Sequence, residues 1–254
     1  MNAFHKYSLL HFLVAPPITG KQAWRRCFRK CAAIFAALTL AQAALGQTGP
    51  GACGPLQNGY GPFDARTDKD KLPVVLDVHF TPVVEALLSG STASQPGPDI
   101  DYTLRAIPNY PRALAAMMQL GEKQKSDKPS GSRYTVECWF DRALRFRPDD
   151  HVVRMLYVNF LTKKTRKPDA LQHLESVQNS AKGNPFTHYN VGLLYFDLGE
   201  HEKALIHAHK AIALGLNRPE LTEKLKAAGK WQEPTSSANT LAGPSAPASA
   251  PQKP

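Results

Sequence analysis

The stretch Asn190-Val191-Gly192-Leu193-Leu194-Tyr195, then Asp197-Leu198-Gly199-Glu200, then Ala204 and Ala211, decides the fold. Apolar residues recur at helical spacing on both sides of a Gly-containing turn. Gly192, Ala204 and Ala211 supply small side chains where two such helices would cross. The same layout stands 34 residues upstream (185 − 151), with Tyr157, Leu161, Ala170 and Leu174 in step and Pro148-Asp149-Asp150 just ahead of it. One unit therefore starts at His151 and the next at Pro185. A fixed step of this length marks a helical hairpin written twice, each copy burying its face against its neighbour. Further upstream, Phe140, Ala143 and Pro148 keep the step, although the turn before them is lengthened by a polar Gly/Pro/Ser loop, Lys123 to Arg133.

This pattern resembles the tetratricopeptide repeat (TPR) family over residues 109–230. In that register Val191, Gly192 and Tyr195 fall at positions 7, 8 and 11, and Ala204 and Ala211 at 20 and 27. Val158 departs from the usual small residue at position 8, and Leu216 stands where position 32 is usually Pro. The resemblance implies an all-α solenoid of about three hairpins over 99–230, closed by a cap helix from Pro219 to Ala228. In this family the first helices build the ligand-facing surface. The corresponding candidates here are Met155 and Asn159 in one unit and Phe186, Tyr189, Asn190, Leu193 and Phe196 in the next. Asn159 and Asn190 occupy positions that grip peptide backbone or carboxylates in some family members. Met155 replaces the lysine of a carboxylate clamp, so the groove reads as apolar and aromatic. The alternative is that these rings are covered by the chain's own N-terminal segment. The core of the last hairpin is expected at Val191, Gly192, Tyr195, Ala204, Leu205 and Ala211.

Outward from the repeats, the first 46 residues resemble a secretory signal peptide. Arg25-Arg26-Cys27-Phe28-Arg29-Lys30 forms the positive region, and Cys31 to Leu45 an apolar run of ~15 residues, short of the ~20 a spanning helix needs. Cleavage is expected after Ala43 or Gly46; an uncleaved anchor is the other reading, and the one route to membrane contact. Either places the rest of the chain outside the cytoplasm, periplasmic or otherwise exported. Cys53-Gly54-Pro55-Leu56 through Asp64, and Tyr134 to Ala143, also resemble small exported TPR proteins of Gram-negative bacteria. That likeness implies compartment and fold and carries no activity.

The formal charge of +10 is concentrated in this leader, whose six basic residues face no acidic one, leaving +4 (25 basic against 21 acidic) for residues 47–254. Nucleic acid is not an expected partner. Cys53 and Cys138 are the two cysteines beyond the leader. In an oxidising compartment they fit one disulfide, or else two buried thiols.

Residues 47–98 read as an irregular segment with one short helix starting at Thr81-Pro82 and stopping by Gly90, and with Val74-Val75-Leu76 as an extended piece. Residues 99–125 and 134–147 read as helices, the former interrupted at Pro108-Asn109-Tyr110-Pro111. Residues 231–254 read as a disordered Pro/Ala/Ser tail.

No phosphate-binding loop, nucleophile elbow, His-Glu-x-x-His or calcium loop is present. His201, His207 and His209 do not share one helix face, and no metal or cofactor is expected. The basic turn Lys163 to Lys167 reads as a contact for an acidic partner or as a solvated turn. The sequence thus points to an exported, non-enzymatic scaffold binding a peptide or protein. The rival is a small periplasmic enzyme or metal-handling protein that uses the non-repeat region.

Overall fold

The computed structural model describes residues 53–180 and 182–234. The expected export segment with its expected cleavage sites, and the expected tail from 235 onward, lie outside the described residues. Among the described residues the chain is all-α, with ten α-helices and no strand. After a single 3-10 turn at Lys69–Lys71 come α1 (Pro73–His79), α2 (Pro82–Glu85), α3 (Pro96–Ala106), α4 (Pro111–Gln124), α5 (Val136–Phe146), α6 (His151–Lys163), α7 (Lys167–Ser180), α8 (Pro185–Asp197), α9 (His201–Ala213) and α10 (Pro219–Ala227).

Six of these helices begin at a proline, namely α1, α2, α3, α4, α8 and α10. At the first helical position the ring's fixed φ is already helical, and its missing N–H has no partner to lose. This corrects the reading of Val74-Val75-Leu76 as extended: Pro73 opens a helix there. The expected helix from Pro82 is only one turn long, ending at Glu85 well before Gly90. Side-chain caps start α5 and α6 and add to the proline of α8. Thr135 Oγ1 accepts from Cys138 N at 3.2 Å, Asp150 Oδ1 from Val153 N at 3.1 Å and Asn184 Oδ1 from Thr187 N at 3.0 Å.

The 34-residue step of the sequence is also a step of helix boundaries. The starts of α6 and α8 (185 − 151), their ends (197 − 163) and the starts of α7 and α9 (201 − 167) all differ by 34. α6 packs with α7, and α8 with α9; α8 in turn lies against both α6 and α7. Equivalent residues are buried in both hairpins: Tyr157 and Val191, Val158 and Gly192, Leu161 and Tyr195, Ala170 and Ala204, Leu174 and Ala208, Val177 and Ala211. Val136, Phe140 and Ala143 of α5 continue the second-helix set, and all three are buried. α10 closes the end against α8 and α9. Gly192 makes that closure fit, because a Cβ there would come 2.5 Å from Leu221 of α10 and 3.3 Å from His207 Cβ of α9.

The N-terminal helices extend this core. α1 and α2 pack on α3, and α2 and α3 on α4. A small second cluster of Ala65, Leu72, Val75, Ala106 and Ile107 seats the segment before α1. Its polar counterpart is a buried knot. Asn109 Nδ2 donates to Asp64 Oδ1 (2.7 Å) and to Asp150 Oδ2 (2.9 Å), while Asn109 Oδ1 accepts from Ala65 N (2.9 Å). The guanidinium of Arg66, joined by Asn109 and Arg147, holds the Asp64 carboxyl far below the usual carboxylate range despite the opposing effect of burial. Cys53 and Cys138 form a disulfide, with Cα atoms 5.1 Å apart. At the other end, Trp231 packs on the core and edge-on against His209, 5.1 Å between ring centres. It belongs to the folded body rather than to the tail that the sequence suggested from 231.

Candidate functional site

The α6–α8 face is built by helical spacing. Val152, Met155 and Asn159 recur at i, i+3 and i+7 on α6, and Phe186, Tyr189 and Leu193 repeat that spacing 34 residues on in α8. Such residues share one side of a helix. α6 and α8 pack together, so the two rows are neighbours. The structure thus brings the sequence candidates into one surface but divides them by depth. Val152 (51% exposed) and Phe186 (53%) are large apolar side chains left in solvent. Met155, Leu193 and Phe196 are half-buried against the core. Tyr189 is buried, at 5%. Asn159 is half-buried and Asn190 exposed, and neither side chain has a hydrogen-bond partner within the described residues.

Among the described residues, what packs on the aromatics is the C-terminal cap. Tyr189 Oη donates to Glu220 Oε2 of α10 at 3.1 Å. The Arg218 guanidinium, just before α10, lies 5.7 Å from the centres of both the Phe186 and Tyr189 rings. Phe196 is flanked by His201 (4.9 Å between ring centres) and by Lys224 Nζ of α10 (5.5 Å), which also pairs with Asp197 at 3.2 Å. Burial and the bond to Glu220 raise the Tyr189 phenol above its ordinary range. Cations over ring faces add attraction of roughly 0.5–1 kcal/mol each at exposed sites.

The basic turn between α6 and α7 is neutralised within the chain. Lys163 pairs with Glu122 (2.7 Å), Lys164 with Asp127 (2.6 Å), Arg166 with Glu137 and Asp169 (2.5 and 2.7 Å) and Lys167 with Glu200 (2.7 Å). This favours the solvated-turn reading over an acidic partner. Two of these pairs straddle the mouth of a 460 Å³ cavity between the C-terminal ends of α4 and α6, whose floor includes Met118 and Phe160. That cavity lies away from the aromatic face.

The three histidines of the last hairpin point three ways. His201 lies tilted beside Phe196, His209 Nε2 meets Gln232 O (2.9 Å), and His207 is buried. His207 has a partner that sequence reading missed: its Nδ1 lies 3.1 Å from Nδ1 of buried His188, and its Nε2 lies 3.1 Å from Gln178 Oε1. Tyr195 Oη also donates to Gln178 Oε1, at 3.0 Å. An amide oxygen only accepts, so His207 donates from Nε2 and must accept at Nδ1 from His188 Nδ1–H. That assignment makes the His207 ring neutral. Burial pushes His207 down to about 4, aided by His188 and Lys210, and lowers His188 as well. The sequence signal was available: 188 and 207 lie 19 apart, the offset that brings first-helix and second-helix core positions together, as in Arg154 with His173.

Among the described residues no three His, Cys, Asp or Glu side chains gather as a metal site, and no helix is long and apolar enough to cross a membrane. No family model, curated protein or solved structure matches the chain.

Proposed function

We propose that this protein is an exported TPR-type scaffold that binds a peptide or protein partner along the α6–α8 face. The carrying observation is the pair Val152 and Phe186. They are the same repeat position on adjacent first helices, and both are more than half exposed. Large apolar side chains repeated in register on one surface are a feature of interaction sites rather than of a solvated helix face. The unpartnered amides of Asn159 and Asn190 add hydrogen-bonding groups beside them. The repeating helix boundaries support the solenoid reading, and α10 serves as its cap.

The test is capture from crosslinked envelope fractions with wild-type protein and with the Val152→Ser/Phe186→Ser pair. Both sites are exposed, so the variant should keep the wild-type melting temperature and lose the captured partner. An unchanged set of captured proteins would refute the site. Export itself is tested separately: the N-terminus of protein from the envelope should begin near Ala44 or Gln47, and full-length protein in the cytosol would refute it.

A further inference from the structure

Residues 53–62 form a strap over α5 and α3 that makes no backbone–backbone hydrogen bond to the helical body; the first is Phe63 N to Ala106 O, at 2.9 Å. At its C-terminal end Tyr60 packs on the small second cluster and its hydroxyl donates to Lys71 O (3.2 Å); the rest is held by arginine side chains and one covalent bond. Arg142 Nη1 donates to Cys53 O (3.0 Å) and Pro55 O (2.6 Å), Arg145 Nη2 to Gly54 O (3.0 Å) and Arg105 Nη1 to Asn58 Oδ1 (2.9 Å). Gly54 has φ +70° and lies so close to the Tyr134 hydroxyl that a Cβ would collide with it. Arg142 is only 1% exposed. It has no carboxylate partner within the described residues, and its Nε is unpartnered. Its charge is met instead by the Tyr134 and Trp139 rings, at 4.6 and 5.3 Å, and by the strap's carbonyls. A buried cation without a counter-charge is costly, so this strap is held over a charge that water would solvate better.

The two sulfur-bearing residues differ in access. Cys53 is buried, at 8%, whereas Cys138 is half-buried. We propose that the Cys53–Cys138 disulfide is a thiol-exchange site at which an external dithiol, attacking Cys138, unlatches the strap. In the first step a thiolate of the dithiol attacks Cys138 Sγ and forms a mixed disulfide. The S–S bond breaks, and Cys53 Sγ leaves with the electron pair and takes a proton from water. The second thiol of the reductant then attacks its own sulfur in the mixed disulfide. Cys138 leaves as thiolate and is protonated. The protein gains two electrons and two protons, and the dithiol becomes a disulfide. Exchange is faster when the leaving thiolate is stabilised, and the nearest cation bonded to Cys53 is Arg142, 3.0 Å from its carbonyl oxygen, whose charge favours a thiolate on the same residue. Access and electrostatics select the same direction of attack. Release frees residues 53–59, up to the Tyr60 anchor, and uncovers Arg142, while Val136, Phe140 and Ala143 keep α5 in the core.

The experiment uses the folded, oxidised full chain under native conditions. Glutathione, with an alkylating agent present to trap the Cys53 thiol as it leaves, should leave its adduct on Cys138 and the alkyl group on Cys53 by peptide mapping. Dithiothreitol should then remove amide-exchange protection in residues 53–59, with α6 to α9 and the far-ultraviolet helical signal unchanged. Arg142→Gln should slow exchange several-fold, and Arg142→Lys, which keeps the charge, should retain the wild-type rate. A glutathione adduct on Cys53 overturns the proposal, as does reduction that proceeds only at the rate of global unfolding. Equal rates in Arg142→Gln and wild type overturn the role given to the cation. If Arg142→Gln does not fold, the site of the glutathione adduct and the exchange pattern of wild type decide.

Discussion

Phe186 and Tyr189 stand three residues apart on one helix, yet Phe186 is 53% exposed and Tyr189 5%. The difference comes from α10, whose Glu220 takes the Tyr189 hydroxyl. Tyr189→Ala should therefore cost about 3 kcal/mol, as for a buried aromatic. Phe186→Ala should stay within about 0.5 kcal/mol of wild type. Urea unfolding midpoints distinguish the two; a large loss in Phe186→Ala would mean that its ring is buried in solution. The His188–His207 pair yields a second residue-scale prediction. In the unfolded chain His207 takes up a proton near pH 6.5, whereas in the fold it does so only near 4. Between these values the unfolded state binds more protons, so stability is complete above 6.5 and declines as pH falls towards 4. For His207 the loss reaches about 3 kcal/mol, from 1.36 kcal/mol per pH unit. The depressed Asp64 carboxyl contributes its loss only below its ordinary value of 3.8, in a separate window. Urea midpoints at pH 7.5 and 4.5 should differ for wild type and much less for His207→Gln.

At the scale of elements, helix starts carry much of the specification. Thr135→Ala removes one cap from α5 and should cost about 1 kcal/mol. Asp150→Ala removes the α6 cap and also strips Asn109 of a buried acceptor, so its cost should approach 3 kcal/mol, because hydrogen bonds to charged groups are worth ~1.5–3. Thermal melts of the two variants test the order, and equal losses would mean that the Asn109 knot contributes nothing. The hairpins α6–α7 and α8–α9 were legible because small residues and apolar periodicity repeat at one step, and the expected core of the last hairpin is buried at all six positions except half-buried Leu205. α1 was not legible, because Val74-Val75-Leu76 carries strand-favouring residues and the proline before them decides otherwise. The candidate face was legible as a row of residues but not by depth. Tyr189 is buried by α10, a helix whose docking leaves no periodic mark in α8. The His188–His207 pair joins two hairpin helices, and its only mark in the sequence is the 19-residue offset between them.

For the whole molecule, the disulfide closes a long loop across the fold, its cysteines 85 positions apart in sequence. Chain entropy gives such a cross-link a stabilisation of roughly 4 kcal/mol through the unfolded state. A domain of this size shifts by ~2–4 °C per kcal/mol, so the Cys53→Ser/Cys138→Ser protein should melt roughly 8–16 °C below the oxidised wild type. It should nonetheless be folded at room temperature, since small domains hold ~5–15 kcal/mol. The shared core from α2 to α10 contains neither cysteine, and the Asp64–Asn109–Asp150 knot still ties the segment after the strap to the start of α6. Loss of the cross-link should therefore lower the melting temperature without splitting the transition in two. Calorimetry of the double variant checks both parts. A melting temperature equal to that of wild type would mean that the unfolded chain gains no freedom from the break. A second, lower transition would mean that α1 to α3 depend on the strap and are not part of the common core.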